Sequence, residues 1–417
     1  MDIESICGQR KVMSKIFICV PTQNDKDYLK TIERAYDFAS NPDDIFIGTT
    51  IFWKEKDISS EFKPFFLDIK NKLDSNFSKV KYDIQPWSKS PGVCRGRLSA
   101  SKHYNGEKYF LSIDSHTDFT ENWDQQMIDL YEGSRKYFGK RRVITSYLSP
   151  FFDAPDNGYD ETLFTHETIE GNPVNNRKDT LYRKDENIGN RWPFFDFHKK
   201  IGVYGDDKVT DRLPLPNDKP LVDHAMVDHL FKSIIDNKYL PAQKISAHFY
   251  FTESDPWVTK YNMNLNENIL WWGEEFSQSL ISYARGYNFV WVKPQIIFHK
   301  YGTYDKEYTS MNDIKTDKEI TPFRQYPDEL LEKFESDEDR YSFYKEYIYT
   351  MFSSKDLWHD LIPENDDFTI LMNILNNYNF GYLPRSINGF IKHSKVDFNR
   401  MKCRQWWEVP DINVVYK

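Results

Sequence analysis

A run of large apolar residues, Tyr109-Phe110-Leu111-Ser112-Ile113, stops abruptly on Asp114-Ser115-His116. This stretch constrains the fold more than any other. Its length and content are those of a buried strand. Such a strand delivers a carboxylate and an imidazole to the carboxyl edge of a sheet, which is where α/β folds bind ligands. Side chains at i and i+2 share a face, so Asp114 and His116 can both turn toward one ion. A plain strand-to-turn boundary accounts for the same triplet, and the rest of the chain has to decide.

The pattern around it repeats. Residues 15–20 (KIFICV) and 44–53 (DIFIGTTIFW) read as strands, and 80–84 as another. Between the first two, Tyr28, Leu29, Ile32, Tyr36 and Ala39 recur at helical spacing, and a second helix is expected at about 61–73. Further on, the pattern predicts helices over 98–104, 122–138 and from about 274, with strands over 143–148, 244–251 and 289–298. Strand and helix alternating at this pace mean βαβ units and a mainly parallel sheet. The fold class is therefore α/β. Residues 1–14 read as a disordered lead-in, 15–309 as the α/β domain, and 310–417 as a mostly helical C-terminal extension. Within the domain, 151–240 is irregular and rich in Pro, Asp, Asn and Gly, as a lid or acceptor-binding region would be.

Charge and cysteine usage narrow the function classes. A net charge of −9 over 417 residues argues against a protein that coats polyanions. Cys7, Cys19, Cys94 and Cys403 are scattered without a CxxC pair, as expected for reduced thiols in a cytoplasmic setting. No stretch reaches the ~20 apolar residues that a membrane span needs, so no membrane partner is expected. Aromatic residues at 17% leave surface for stacking on sugars or bases.

The loop after the first strand, Pro21-Thr22-Gln23-Asn24-Asp25, lacks both GxGxxG and GxxxxGK[ST], so dinucleotide and P-loop readings lose support. Arg95 and Arg97 bracket Gly96 just before a helical stretch, where guanidinium charge and open backbone can meet a diphosphate. Glu274 and Glu275 open a later helix, either as dipole-matched acids or as cleft residues. His299 ends a second apolar strand. The tail at 392–407 is basic and ends in two tryptophans, a pattern of packing arms and, less often, of nucleic-acid binders.

Residues 92–123, GVCRGRLSASKHYNGEKYFLSIDSHTDFTENW, resemble the signature block of the cytoplasmic polypeptide GlcNAc-transferases of the Skp1 type. That family pairs an arginine-bearing helix start with a strand ending Asp-Ser-His and a Trp-Asp helix. Arg97, Asp114, His116, Trp123 and Asp124 match, and Gly96 stands where the family usually has Ala. A second block, ISAHFYF, ILWWGEEFSQSLISYARGYNF and IIFHKYG, is similar to the family's Gly-Glu-Glu helix and late strand histidine. The mucin-type GalNAc-transferases show a similar, more distant order. The likeness runs over about 15–302.

The resemblance implies a GT-A fold and a UDP-sugar donor bound with Mn²⁺ or Mg²⁺, with Asp114, His116 and His299 as metal ligands. It also implies Arg97 and Asp114 on the diphosphate, Thr22 and Asp25 at the uracil and ribose, and Glu274 and Glu275 positioning the sugar and the incoming hydroxyl. One carboxylate, two imidazoles and two diphosphate oxygens make a mixed O/N site suited to Mn²⁺. The expected activity is retaining transfer of a sugar, GlcNAc by family default, to a hydroxyl of a macromolecule, a protein first. Two other readings stand beside it: transfer to hydroxymethylated bases of phage DNA in a host cytoplasm, and a non-catalytic module that binds sugar nucleotides or glycans.

Overall fold

The computed structural model describes residues 15–23, 25, 27–53, 71–73, 77–86, 93–155, 164–165, 179–183, 238–265, 274–300, 385, 389–390, 393, 396–397 and 402–403. The expected lead-in, most of the 151–240 region, most of the helix at 61–73 and nearly all of the C-terminal extension lie outside these residues.

The strands in chain order are β1 (Ile16–Cys19), β2 (Thr22–Gln23), β3 (Ile45–Trp53), β4 (Val80–Pro86), β5 (Tyr109–Ile113), β6 (Thr117–Phe119), β7 (Arg142–Thr145), β8 (Ser149–Asp153), β9 (Phe164–Thr165), β10 (Thr180–Arg183), β11 (Tyr239–Pro241), β12 (Phe249–Glu253), β13 (Asn288–Val292), β14 (Ile297–His299), β15 (Val396–Asp397) and β16 (Lys402–Cys403). The helices are α1 (Tyr28–Asp37), α2 (Val93–Ser101), α3 (Trp123–Phe138), the short α4 (Ser254–Trp257) and α5 (Glu274–Ala284). The central sheet runs β11-β13-β7-β12-β5-β1-β3-β2, with β4 also on β3. β1, β3, β4 and β5 are mutually parallel where they pair, as are β7 and β13, while β12 runs antiparallel between β5 and β7. The mainly parallel α/β sheet flanked by helices expected of a GT-A fold is what the chain forms.

The two-sided burial of this sheet follows from the alternation along its strands. Ile16 and Ile18 of β1, Leu111 and Ile113 of β5, and Val290 and Val292 of β13 join one cluster with α1 and α3. Phe17, Cys19, Phe110, Phe289 and Trp291 point to the opposite cluster, with Ala100 of α2, and Leu280 and Tyr283 of α5. All five residues of β5 are buried, each large side chain contributing about 1.5–3 kcal/mol by leaving water. Phe390 and His393 complete the second face: His393 stacks on Tyr283 with ring centres 5.0 Å apart, and its Nε2 lies 3.1 Å from the Ala242 carbonyl. Part of the distant C-terminal region thus packs on the sheet's helical layer.

Three expectations shift. The single strand over 289–298 is two, because Lys293-Pro294 interrupts it and a proline offers no N–H to a ladder. β13 stays in the central sheet while β14 joins a second one, β6-β14-β8-β10-β9. The strand expected from Lys244 begins only at Phe249. The backbone N–H groups of Ile245, Ser246 and Ala247 donate instead to Ser279 Oγ, Thr145 Oγ1 and Glu275 Oε1. The third shift is in α2, which begins at Val93, so Arg97 lies inside the helix and not before it.

The second sheet is fastened to α1 through charge. Arg34 meets Asp118 at 3.3 Å and donates to Thr180 Oγ1 at 2.6 Å, and Tyr182 Oη donates to the buried Asp118 Oδ2 at 2.6 Å. Lys300 pairs with Asp27 at 2.8 Å and with Asp153. Tyr182→Phe should cost about 1.5–3 kcal/mol, the worth of a hydrogen bond to a charged group. Denaturant unfolding reads it, and a cost under ~0.5 kcal/mol would show that this tie does not hold the sheet.

Candidate active site

The groups singled out by the sequence converge where β5 of the central sheet and β14 of the second sheet end. Asp114 follows β5, His116 follows one residue after a single serine, and His299 is the last residue of β14. One ligand atom from each of the three lies within 4.8 Å of the others. Donors about 2.2 Å from a common ion sit about 3 Å apart when adjacent and about 4.4 Å apart when opposite, so small side-chain movements bring the set into ligation. His299 Nε2 is 3.2 Å from Asp114 Oδ2, and the two imidazole rings meet edge-on at 4.6 Å. β6 pairs antiparallel with β14, setting His299 opposite Thr117, next to His116. The Lys300 N–H donates to the His116 carbonyl at 3.0 Å, which locks the two strand ends together.

Arg97 holds Asp114 in place. Its Nη2 donates to Asp114 Oδ1 at 2.7 Å, Nε to Glu274 Oε1 at 2.8 Å, and Nη1 to Ser112 Oγ and the Ile113 carbonyl. Only 3% of Arg97 and 2% of Glu274 are exposed, against 30% of the Asp114 side chain. The guanidinium therefore spends most of its donors inside the protein, and the carboxylate it steadies is the one that reaches the cleft. Gly96 makes this approach feasible. A Cβ there would lie 3.1 Å from Pro21 Cβ and 3.3 Å from the Phe52 ring, so the helix carrying Arg97 packs closely against the end of β1 and on β3.

Charge in the site is balanced for a cation. Burial opposes ionisation of Asp114, but Arg97, His299 and His116 hold its carboxyl well below the usual carboxylate range. Burial, with His116 beside it, pulls His299 down toward the neutral, ligating form. Burial pushes Glu274 up to about 7 against the pull of Arg97. Burial likewise raises the Cys19 thiol to about 12, and the Cys94 thiol well above its ordinary value. The nearby sulfurs are therefore protonated and no thiolate competes. One carboxylate and two imidazoles without thiolate fit Mn²⁺, and Mg²⁺ through the carboxylate. The residues present thus suit the divalent ion that the sequence pattern implies.

The other expected residues occupy distinct places. Thr22 sits on β2, 4% exposed, its hydroxyl without a hydrogen-bond partner among the described residues. Asp25 lies 2.7 Å from His116 Nδ1 through Oδ2, accepts from Ser115 Oγ, and takes the Asp27 N–H on Oδ1 at 2.9 Å. Glu275, 26% exposed, pairs with Lys244 and accepts from Tyr147 Oη at 2.8 Å.

Sequence reasoning passed over Lys244, Tyr147 and His248. His248 is buried between Tyr147 and His299, with ring centres 5.2 and 4.8 Å away. Its Nε2 accepts the Leu148 N–H, and its Nδ1 is 2.8 Å from Ser246 Oγ. Burial, reinforced by His299, holds it neutral, so it braces the metal-competent histidine. The one available signal was a histidine and a serine two apart in KISAHFYF, hidden by the apolar residues around them.

The profile of the GlcNAc glycosyltransferase family matches residues 69–400, most of the chain and all the site residues but Thr22 and Asp25. The chain belongs to the GlcNAc glycosyltransferase family. Solved structures to which the chain is similar include GalNAc-T7 with UDP, GalNAc and Mn²⁺ (13% identity, TM-score 0.42, 70% of this chain and 44% of that one). Others are S. aureus TarS (11%, 0.37, 90% and 45%) and its 1–349 fragment (10%, 0.36, 96% and 89%). This chain spans under half the length of the first two. No curated protein matches it in sequence. Among the described residues, no helix of this glycosyltransferase is long and apolar enough to cross a membrane.

Proposed function

We propose that this glycosyltransferase is a metal-dependent, retaining enzyme that moves GlcNAc from UDP-GlcNAc to a hydroxyl of a protein, in the cytoplasm. The observation that carries the reading is the convergence of Asp114, His116 and His299 within 4.8 Å at the joined ends of two sheets. These three would hold the divalent ion, which when bound supplies Lewis-acid neutralisation of charge on the departing diphosphate. Arg97 fixes Asp114 and supplies positive charge on the diphosphate side of the site. Thr22, whose buried hydroxyl has no hydrogen-bond partner among the described residues, is the base-side contact. Glu275, partly exposed and steadied by Lys244 and Tyr147, takes sugar hydroxyls, while Glu274 acts through Arg97. The second sheet carries His299 and leads into the 151–240 region, which this reading assigns to the acceptor. Retention and the Skp1-type acceptor class rest on the sequence resemblance, and protonated Cys19 and Cys94 agree with a reducing compartment.

Incubated with UDP-GlcNAc and Mn²⁺ without acceptor, the protein should release UDP slowly, stop with EDTA and resume when Mn²⁺ is restored. An unchanged rate in EDTA would remove the metal from the reading. Faster turnover of another UDP-sugar would replace GlcNAc as the donor.

A further inference from the structure

The loop after β1 carries a carboxylate, Asp25, that the family resemblance assigns to nucleotide recognition and that here meets the ring of His116. Asp25 is 16% exposed, and both of its oxygens are engaged: Oδ2 by His116 Nδ1 at 2.7 Å and by Ser115 Oγ, Oδ1 by the Asp27 N–H at 2.9 Å. A ligating histidine must be neutral at one nitrogen, and which nitrogen is set by the hydrogen bond that the other makes. A carboxylate can only accept, so Nδ1 of His116 has to carry the proton.

We infer that Asp25 is a positioning residue of the metal centre, fixing His116 in the tautomer and ring orientation that leave Nε2 free to ligate. The inference rests on the metal reading of Asp114, His116 and His299. It deepens that reading by naming a residue that is not itself a ligand. Asp25 is held on three sides, by the Asp27 backbone, by Ser115 and by the ring itself, so the imidazole cannot rotate without breaking a hydrogen bond to an ionised group. His299 closes the ring in from the other side at 4.6 Å. The same carboxylate joins the loop after β1 to the strand end that carries the ligands. Outer partners of this kind are worth about 10–100-fold in metal affinity.

The test is direct Mn²⁺ binding to the full chain without nucleotide, read from the loss of the free-ion electron paramagnetic resonance signal. Asp25→Ala should weaken binding about 10–100-fold. Asp25→Asn, whose amide oxygen still accepts from Nδ1, should recover most of the loss. Asp25→Ala binding as tightly as wild type would overturn the inference, and so would equal losses in both variants, since charge and not tautomer would then be the cause. Donor KM rising with metal affinity unchanged would return Asp25 to the nucleotide. A second measurement needs no variant. Nitrogen-15 shifts of the His116 ring in metal-free wild type, at alkaline pH, should report the Nδ1–H tautomer, and an Nε2–H ring overturns the proposal. Wild type indistinguishable from Asp114→Ala in Mn²⁺ binding would sink the metal reading itself, a result separable from failure at Asp25 alone.

Discussion

Asp114→Ala is expected to lower sugar transfer by about a thousandfold, equivalent to about 4 kcal/mol of transition-state stabilisation, with the fold left intact. The residue is the one carboxylate in the ligand set, so its loss removes the anionic donor and leaves two imidazoles to hold a divalent ion. It also stands at the cleft with 30% of its side chain exposed, so truncation opens no sealed cavity. Arg97 keeps Glu274, Ser112 and the Ile113 carbonyl as partners, which limits the structural cost. Asp114→Asn sharpens the test. Its amide oxygen can still accept from Arg97, so geometry is largely preserved while charge is lost, and turnover should fall nearly as far. Activity in both variants is measured across a Mn²⁺ titration, with thermal unfolding as control. Turnover within tenfold of wild type in folded Asp114→Ala protein would refute metal-assisted departure of the donor. Loss of transfer with donor binding retained excludes the reading of the chain as a mere sugar-nucleotide binder.

How much of this site was legible depends on where each residue's partners lie. Asp114, His116 and His299 are readable because one apolar strand runs up to Asp114-Ser115-His116 and another ends on His299, and a strand end in an α/β sheet has a known place. The alternation of Ile16, Phe17, Ile18 and Cys19 likewise announces burial on both faces. Arg97 reads as lying just before a helix because Gly96 interrupts the local pattern, whereas the helix already runs from Val93. Its buried partner is Glu274, which is 177 positions away, and no local pattern encodes such a pair. The same holds for Asp25 and His116, and for His248 wedged against His299. The start of β12 was misjudged because side chains from α5 and β7 take the hydrogen bonds that a ladder would have used. Local periodicity fixes elements and their buried faces. The polar pairings that make a site are long-range and appear only when the sheets close.

The second large effect concerns the pair beneath the metal ligands. Arg97→Met, which keeps apolar bulk, should cost about 3–5 kcal/mol, because it leaves Glu274 as a buried carboxylate without its counter-charge. That is a sizeable part of the 5–15 kcal/mol typical of a domain. The loss should depend on pH with a definite sign. With Arg97 present, burial already raises Glu274 from 4.5 to about 7, and without the guanidinium it rises further. A carboxyl whose folded pKa exceeds its unfolded value destabilises the fold as pH climbs through the interval between the two. The variant should therefore be most stable near pH 4.5 and lose stability through pH 7 and above, as denaturant midpoints at both ends would show. Stability that rises with pH in Arg97→Met would contradict the buried-pair account. Adding Glu274→Gln replaces the stranded charge with a neutral amide and should restore much of the stability, a coupling expected of residues in direct contact. Turnover should stay low in the double variant, because Asp114 still lacks the 2.7 Å hydrogen bond that aims it at the ion. Stability and activity thus separate: recovery of the first without the second identifies Arg97 as the residue that positions Asp114, whereas recovery of both would reduce it to a structural counter-charge for Glu274.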